Sequence, residues 1–251
     1  MFNAERRQFI LERLRRDGRV IAKDLSIELG VSEDTIRRDL RDMSAEGLIQ
    51  RVHGGALLRS PAIASYIARQ QQSSSAEHHI AQAAARLVQN GQVIILDGGT
   101  TNVILAQHLP LDLRVTVITN NPPAAVALME HPHVEVILIG GRLHKEYLVT
   151  IGATAIETLR LIRADLCMFG VCSLHPDIGI STSNLEEAHV KQAMIASAAE
   201  VVALVSPEKL GTAAPYVVAP LSELTYLVTE REVSDAVLAP YAAQGITILR
   251  A

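Results

Sequence analysis

The stretch VSEDTIRRDLRDMSAEGLIQRVHGGA, residues 31–56, specifies a helix with two unlike faces and then a hairpin. Ser32 suits the N-cap position, because its hydroxyl can accept hydrogen bonds from the free amides of the first helical turn. Ile36, Leu40 and Met43 recur at spacings of four and three residues, so they form one apolar stripe that packs on a core. The opposite face is left polar and rich in arginine.

Glycines delimit this helix and the segments around it. Gly47 is placed to end the helix, and residues 48–52 alternate like a short strand that runs into a Gly-Gly pair. Upstream, the apolar spacing of residues 21–29 predicts a short helix that Gly30 terminates. Helix, glycine turn, helix and hairpin together predict a winged helix-turn-helix.

In a helix-turn-helix, the start of the second helix reaches base edges and neighbouring basic groups hold phosphates. Arginine suits both tasks, because its planar guanidinium pairs bidentately with guanine or grips a phosphate. The alternative for Arg37 and Arg38 is a solvated face on which they pair with nearby carboxylates at helical spacing. The cap, the preceding helix and the basic hairpin favour DNA binding. The expected DNA contacts are Ser32, Asp34, Thr35, Arg37, Arg38, Arg41, Arg51 and His53.

The same residues resemble a known family. Residues 30–32, 35–40 and 51–56 read GVS, TIRRDL and RVHGGA, and in this order they resemble the N-terminal domain of the DeoR family of bacterial transcriptional regulators. The resemblance implies a regulator that binds a double-stranded DNA operator.

The composition fits a folded protein with a small and a larger domain. The chain has 251 residues, of which 49% are hydrophobic and 20% charged, and its net charge is −4. Residues 1–60 carry more basic than acidic side chains, so the acidic excess lies in the remainder. Two cysteines without a metal-binding spacing indicate a reducing compartment. Apolar runs are shorter than the roughly 20 residues of a membrane span, so we expect a cytoplasmic protein without a membrane partner.

The chain divides into three predicted parts. Residues 1–58 are expected to form the winged helix-turn-helix domain, in which Val20 and Ile21 form a brief strand that pairs with the wing. Residues 59–75 contain a proline and a cluster of Gln and Ser and are expected to form a linker, with helical spacing at residues 62–71. An effector-binding and oligomerisation domain is expected at residues 76–251. The first helix is expected to carry, as solubilising charges or DNA contacts, Arg6, Arg7, Arg13, Arg15 and Arg16.

From residue 76 onward, short apolar runs alternate with helix-like segments. Strands that are apolar on both faces and alternate with helices imply a mainly parallel sheet covered on both sides. The second domain is therefore predicted to be α/β. The runs lie at residues 93–96, 115–118, 134–139, 166–171, 201–205, 226–228 and 246–249.

Ligands of open α/β sheets lie beyond the carboxyl ends of the strands. Residues 96–101, LDGGTT, follow the first run and offer free amides at a helix start, which is an anion site. Alone, this sequence is more often a simple turn, and it lacks the lysine of a nucleotide-binding loop. Other strand ends carry TNN at 119–121, GGR at 140–142 and SPEKLG at 206–211. Together they suit a small polyhydroxylated phosphate.

This set also resembles the C-terminal domain of the DeoR family, which is similar in fold to ribose-5-phosphate isomerase and senses phosphorylated sugars or related metabolites. By this resemblance the Gly-Gly-Thr-Thr turn holds the phosphate. For Glu187 and Lys191, an exposed helix pair is an equal alternative. Ser206 and Cys172-Ser173 depart from the family's usual Asp and glycine-bearing loop. The implied effector contacts are Asp97, Gly98, Gly99, Thr100, Thr101, Asn120, Gly141, Glu187, Lys191 and Lys209.

The expected function is a sequence-specific transcriptional regulator, a repressor of a carbohydrate-metabolism operon, whose DNA affinity a phosphorylated sugar alters. A homodimer or homotetramer is expected, because paired winged helices match the half-sites of an operator. No catalytic residue, cofactor or metal is assigned. One alternative is a sugar-phosphate isomerase with an accessory DNA module, for which Asp177 is the carboxylate of the loop at 170–177. Another is a DNA-binding scaffold whose α/β domain only oligomerises.

Overall fold

The computed structural model describes residues 2–60, 62, 65–71 and 74–251. Its N-terminal part is a small helical domain with a three-stranded wing, as predicted. In chain order the elements are α1 Asn3–Asp17, β1 Arg19–Ile21, α2 Ala22–Leu29, α3 Glu33–Ala45, β2 Ile49–Val52 and β3 Gly55–Arg59.

Helix α3 begins and packs as its sequence indicates. The Ser32 hydroxyl accepts a hydrogen bond from the Thr35 amide at 3.2 Å, which satisfies one of the free donors of the first turn. Ile36, Leu40 and Met43 are buried in the core of the domain. The preceding helix ends at Gly30, whose φ of 63° is the left-handed conformation typical of a C-terminal glycine. The predicted helix-turn-helix is confirmed.

The wing is a sheet in which β3 pairs antiparallel with both β1 and β2. The brief strand predicted at Val20 and Ile21 is therefore confirmed. At Gly55, a Cβ would lie 1.9 Å from the carbonyl oxygen of Val20, so any larger residue would push the two strands apart. Glycine is needed here for close approach of two backbones.

Arg6 does not lie on the surface, and the expectation that placed it there was wrong. It shares the buried stripe of α1 with Ile10 and Leu14, one and two helical turns further on. Its guanidinium donates to the Asp39 carboxylate on α3, with Nη2 3.0 Å from Oδ1. Arg6 is therefore a structural partner of α3 inside the domain. Arg13, in contrast, forms surface ion pairs.

The remaining chain builds the larger α/β domain. In chain order its elements are α4 Tyr66–Gln71, α5 Ser75–Ala85, β4 Val93–Leu96, α6 Thr100–Gln107, β5 Val115–Thr119, α7 Pro122–Ala127, β6 Val134–Leu138, β7 Arg142–His144, β8 Val149–Ile151, α8 Ala153–Arg160, β9 Ala164–Gly170, β10 Ser173–His175, β11 Gly179–Thr182, α9 Leu185–Ala196, β12 Ala198–Leu204, β13 Thr212–Ala213, β14 Tyr216–Ala219, β15 Tyr226–Thr229, α10 Asp235–Ala242 and β16 Thr247–Arg250.

Seven of these strands form one parallel sheet in the order β16-β15-β12-β9-β4-β5-β6. Ile94 and Leu96 face a core with α5, α6 and α7, whereas Ile95 faces a core with α8, α9 and α10. The seven predicted apolar runs are these seven strands, so the α/β prediction is confirmed. The strand order reverses between β4 and β9, which makes their carboxyl ends the switch point where ligands bind in such sheets.

Several short strands had no counterpart in the sequence analysis. Strands β7 and β8 form a hairpin, and β10, β11 and β14 form a small antiparallel sheet. Strand β13 pairs in parallel with β3 of the wing, Thr212 opposite Leu58 and Ala213 opposite Arg59. The α/β domain thereby extends the sheet of the DNA-binding domain.

The segment between the two domains contains α4, which overlaps the helical spacing predicted at residues 62–71. Pro61, Ile63, Ala64, Gln72 and Ser73 lie outside the described residues. The division into residues 1–58, 59–75 and 76–251 stays a prediction. Within the described chain, no helix has the length and apolarity to cross a membrane.

Candidate functional site

The predicted DNA contacts lie on one end of α3 and on the wing. Thr35 is partly buried and its hydroxyl lies 2.8 Å from that of Ser32, so these two residues also build the helix cap. The exposed members of the set are Ser32, Asp34, Arg37, Arg38, Arg41, Arg51 and His53.

The arginines of this surface differ in what they contact. Arg37 donates to the Glu33 carboxylate at 2.7 Å, one turn earlier on α3, and it lines a groove between helix and wing together with Arg51. The solvated ion pair considered for Arg37 is thus present in this structure. Arg38 and Arg41 make no ion pair with any residue that the structure describes. If Arg38 contacts DNA as predicted, it does not first have to give up a carboxylate partner among the described residues.

Arg38→Ala is expected to weaken operator binding by roughly 1–3 kcal/mol if Arg38 reads a base, with relaxed specificity at one base pair. Arg37→Ala is expected to weaken it less, because Arg37 must leave Glu33 to bind. Fluorescence anisotropy titrations with an operator duplex and with its single-base variants measure both losses of affinity. The exposed Arg114→Ala variant of the α/β domain controls for net charge. If Arg38→Ala instead lowers the affinity equally for all duplexes and makes the affinity less dependent on salt, Arg38 contacts a phosphate rather than a base.

The second candidate site is a small open pocket, with a cavity volume of about 30 Å³, at the switch point of the large sheet. Gly98 and Gly99 reach it from the end of β4, and Gly170 and Val171 reach it from the end of β9. A Cβ on Gly170 would lie 2.0 Å from the carbonyl oxygen of Gly98, so the two strand ends touch through glycine alone. This contact forms the floor of the pocket.

Asp97 and Lys191 form a buried ion pair beside this contact, and Lys191 also lines the pocket, as predicted for an effector contact. Asp97 is 1% exposed and also accepts hydrogen bonds from the amides of Gly98, at 2.6 Å, and Gly170, at 3.0 Å. Its carboxylate therefore ties β4, β9 and α9 together. Asp97 is not among the described residues that line the pocket, and its contact with an effector stays a prediction.

Lys191 is held by more than one acceptor. Its ammonium donates to the Gly170 carbonyl at 2.7 Å and lies 3.7 Å from a Glu187 oxygen. Burial acts to lower the pKa of Lys191, but the Asp97 and Glu187 carboxylates reverse this, so its pKa is raised and it carries a charge. The exposed helix pair considered for Glu187 and Lys191 is wrong, because Lys191 is 3% exposed.

Glu187 and Thr182 present polar atoms at the α9 side of the pocket. The Thr182 hydroxyl donates to Glu187 at 2.8 Å, and the Glu187 amide is capped by Asn184 at 3.0 Å. Both Glu187 and Thr182 line the pocket. This side can accept hydrogen bonds from ligand hydroxyls.

The start of α6 lies at the other side. Gly99 precedes the helix with φ 119°, and within the described residues no side chain caps its first turn. The hydroxyls of Thr100 and Thr101 line the pocket but both donate to Glu77 of α5, at 3.0 and 3.4 Å. The amides and the positive end of the helix dipole remain as the anion-binding features predicted for this turn.

Lys209 lines the same pocket and is 6% exposed. Its ammonium has no hydrogen bond or ion pair with any part of the chain that the structure describes. Burial lowers the pKa of Lys209, the nearby Arg69 lowers it further, and the Glu77 charge offsets only part of this. A buried ammonium that lacks an acceptor, in a pocket that the start of α6 also lines, is chemically suited to pair with an anion.

Sequence reasoning missed several residues of the pocket. Arg69 of α4 lines it with its guanidinium carbon 5.8 Å from the centre of the Tyr147 ring. Cys172 lines it as well, and its carbonyl accepts a hydrogen bond from the Ser60 hydroxyl beside the wing. The sequence offered one signal for the role of Arg69, which is a basic residue within a Gln-rich segment.

Asn120 and Gly141, expected to contact an effector, are not among the described residues that line the pocket. Asn120 is 1% exposed and donates to the Thr150 carbonyl at 3.1 Å, which ties β8 to the end of β5. Gly141 lies against Ile151, whose carbonyl oxygen would be 2.7 Å from a Cβ. Both residues contact β8 of the hairpin that carries Tyr147, and their contact with an effector stays a prediction.

Asp177 lies away from the pocket, at the contact between the two domains. It forms an exposed ion pair with Arg19 of β1 at 3.1 Å. No group of three His, Cys, Asp or Glu side chains in the described ranges is arranged to hold a metal ion.

Comparison with known proteins covers nearly the whole chain. The DeoR-like helix-turn-helix domain model matches residues 6–72, and the DeoR C terminal sensor domain model matches residues 72–231. The HTH-type transcriptional repressor GlcR of Bacillus subtilis is 34% identical over 99% of this chain and 96% of its own length. The HTH-type transcriptional regulator GlpR of Haloferax volcanii is 33% identical over 99% of this chain and 98% of its own length. The Glycerol-3-phosphate regulon repressor of Haemophilus influenzae is 31% identical over 89% of this chain and 88% of its own length.

A solved structure of ribose 5-phosphate isomerase A from Methanocaldococcus jannaschii is similar to part of the chain, with a TM-score of 0.40 and 18% identity over 53% of this chain. The chain spans about half of that protein, 52%. A likeness of this size carries no inference about activity. The two family models and the full-length relatives show that the chain belongs to the DeoR family of helix-turn-helix transcriptional regulators.

Proposed function

We propose that this regulator represses a carbohydrate-metabolism operon and that a phosphorylated sugar or related metabolite, bound at the switch point of the α/β domain, alters its affinity for operator DNA. The observation that carries the proposal is Lys209, a buried cation without a partner among the described residues, which lines a pocket at the start of α6. The name of one relative, a glycerol-3-phosphate regulon repressor, supports the same class of effector.

The charges around the pocket favour one orientation of such a ligand. Lys209, Arg69 and the start of α6 make the α6 side the place for the anionic group. Glu187 and Thr182 make the α9 side the place for hydroxyl groups, because the Glu187 carboxylate accepts hydrogen bonds from hydroxyls. A small molecule with an anionic end and a hydroxylated end matches both.

A short path leads from this pocket to the wing. Lys209 lies three residues before Thr212, where β13 starts its pairing with β3. The segment after β3 returns over the pocket, since Ala62 and Arg69 both line it. A ligand that contacts Lys209 and Arg69 thus touches chain on both sides of the β3–β13 contact.

This arrangement supports control of DNA binding by an effector. A ligand shifts a conformational equilibrium only by its difference in affinity for the two states. The two segments that contact the ligand meet at the wing. If the spacing between them differs between the two conformational states, the ligand binds the two states with different affinities. We infer a homo-oligomer in which two such wings are presented to operator half-sites about 34 Å apart or at multiples of that.

We infer that the protein is a cytoplasmic regulator and not an isomerase. Proton transfer on a sugar phosphate needs a carboxylate positioned at the substrate. Asp177 pairs with Arg19 away from the pocket, and the Asp97 carboxylate pairs with Lys191. The Glu187 carboxylate lines the pocket, but it already accepts the Thr182 hydroxyl and lies 3.7 Å from the charged Lys191. Turnover of pentose or hexose phosphates that disappears in Asp97→Asn or Asp177→Asn would favour the enzyme instead.

Lys209→Ala is expected to abolish the effect of the metabolite on operator binding while operator affinity without metabolite stays within about threefold of the wild type. The reason is that the variant removes the pocket's unpaired cation, which lies outside the DNA surface. Anisotropy titrations of operator DNA, with and without each of a panel of sugar phosphates, measure this effect. The exposed Lys145→Ala variant is the control. A full response in Lys209→Ala would contradict the placement of the anion.

A further inference from the structure

Arg69 brings a second cation to the start of α6. It lies on α4, in the segment between the two domains, and lines the effector pocket together with Gly99 and Lys209. At Gly99, a Cβ would lie 4.0 Å from Nη1 of Arg69, so the guanidinium reaches the residue that precedes the helix. The first amides of α6 and the positive end of its dipole lie at the same place. The anion side of the pocket therefore combines a helix start with two cations from separate segments.

Contacts with the β7–β8 hairpin position Arg69. The Tyr66 amide at the start of α4 donates to the Glu146 carbonyl at 2.7 Å, which fixes the helix to the turn of the hairpin. The guanidinium carbon of Arg69 lies 5.8 Å from the centre of the Tyr147 ring, and that ring stacks on His144 with 5.0 Å between the ring centres. A guanidinium can stack on an aromatic ring and donate from its planar edge to an oxyanion.

The charges of Arg69 and Lys209 act on each other. Burial is the largest cause that lowers the pKa of Lys209, the Glu77 carboxylate raises it in part, and the charge of Arg69 lowers it further. The effect of Arg69 is the repulsion between two neighbouring cations. Glu77 accepts the hydroxyls of Thr100 and Thr101 and is not among the described residues that line the pocket. An anion inside the pocket offsets the repulsion between the two cations, and a larger anionic charge offsets more of it.

We propose that Arg69 is a specificity-determining residue, which makes the pocket select a doubly charged phosphate monoester over a singly charged group of the same shape. The proposal rests on the effector pocket proposed above and says how that pocket recognises its anion. Arg69 donates from its planar fork to two phosphate oxygens, and Lys209 donates to the third.

Desolvation is the reason why this selectivity needs two cations. A dianion costs more to remove from water than a monoanion, so a pocket with a single cation gains little from the second charge of a ligand. With Arg69 and Lys209 together, each charge of a dianion has a partner. Glu187 is the one carboxylate among the described residues that line the pocket, and it belongs to the α9 side, where hydroxyl groups are expected.

The test uses two small probes of similar shape, methyl phosphate and methyl sulfate. At pH 7.5 methyl phosphate is mostly a dianion, because the second pKa of a phosphate monoester is about 6, whereas methyl sulfate carries one charge. Isothermal titration calorimetry at constant ionic strength compares the wild type with Arg69→Gln and Arg69→Lys. The matched control is Arg114→Gln, which removes the same charge from an exposed residue directly before β5, at the amino end of the sheet.

The wild type is expected to bind methyl phosphate at least about tenfold more tightly than methyl sulfate. Arg69→Gln is expected to lower the affinity for methyl phosphate about tenfold and that for methyl sulfate by less than about threefold, because the second ligand charge loses its partner. Arg69→Lys keeps the charge without the planar fork, so it should retain the preference for methyl phosphate at a lower affinity. Arg114→Gln should match the wild type.

Three outcomes overturn the role of Arg69: a wild type that binds both probes equally, equal changes for both probes in Arg69→Gln, or a preference in Arg69→Lys no greater than that in Arg69→Gln. If Lys209→Ala nevertheless abolishes the binding of methyl phosphate, the effector pocket stands. If the wild type binds neither probe, the pocket itself is overturned, and the role of Arg69 with it.

Discussion

Lys191→Met is expected to lower the free energy of unfolding by about 3–5 kcal/mol, the usual cost of removing one partner from a buried ion pair. The variant leaves the Asp97 carboxylate, 1% exposed, without a cation. Methionine keeps most of the volume of the lysine stem, which packs with its ammonium 4.6 Å from the centre of the Phe169 ring. The loss is therefore chiefly electrostatic.

Urea unfolding followed by circular dichroism measures this effect, and the exposed Lys145→Met serves as the matched control. Adding Asp97→Asn to Lys191→Met should recover part of the loss, because the unpaired charge is removed. The double-mutant cycle then gives the coupling between the two side chains. A loss below about 1 kcal/mol in Lys191→Met would show that Asp97 is solvated or protonated without its partner.

The second large effect concerns the transmission of the effector signal. Ala213→Pro is expected to abolish the change in operator affinity on adding effector, while effector binding and effector-free operator binding are retained. Proline removes a backbone N–H from β13 and restricts φ, so it disrupts the pairing of Ala213 with Arg59 of β3. Calorimetry for the effector and anisotropy for the operator separate binding from transmission.

Ala213→Ser is the control for this variant, because it keeps the N–H and a small side chain at a position that is 1% exposed. Ser60→Ala removes a different link, the hydrogen bond to the Cys172 carbonyl beside the pocket, and is expected to reduce the response without eliminating it. A full response in Ala213→Pro would show that coupling takes another route, such as a rearrangement between protomers.

Local patterns were sufficient for the main elements. Ser32, the apolar stripe of α3 and the glycine stops predict the helix-turn-helix, because caps and periodicity act within a few residues. The strands of the parallel sheet were predictable for a related reason: a strand buried on both faces is a continuous apolar run.

The parts that were not predictable depend on distant contacts. Strand β13 has two residues, and its partner β3 lies far earlier in the chain, at Gly55–Arg59. The burial of Arg6 depends on Asp39 of another helix, and the position of Arg6 four residues before Ile10 does not by itself reveal that partner. In the pocket, the anion-binding turn and Lys209 were predicted from strand ends. Arg69 and Tyr147 were missed because they reach the pocket from a short helix and a hairpin.

The pairing of β13 with β3 also bears on how this protein can be rebuilt. Exchange of sensors between relatives is usually planned by cutting in the segment that joins the domains, here after Arg59. Such a cut separates the wing from the two residues that continue its sheet, Thr212 and Ala213. A chimaera that answers to a new metabolite should therefore take residues 207–213 from the parent that supplies the wing, or redesign both strands as one unit.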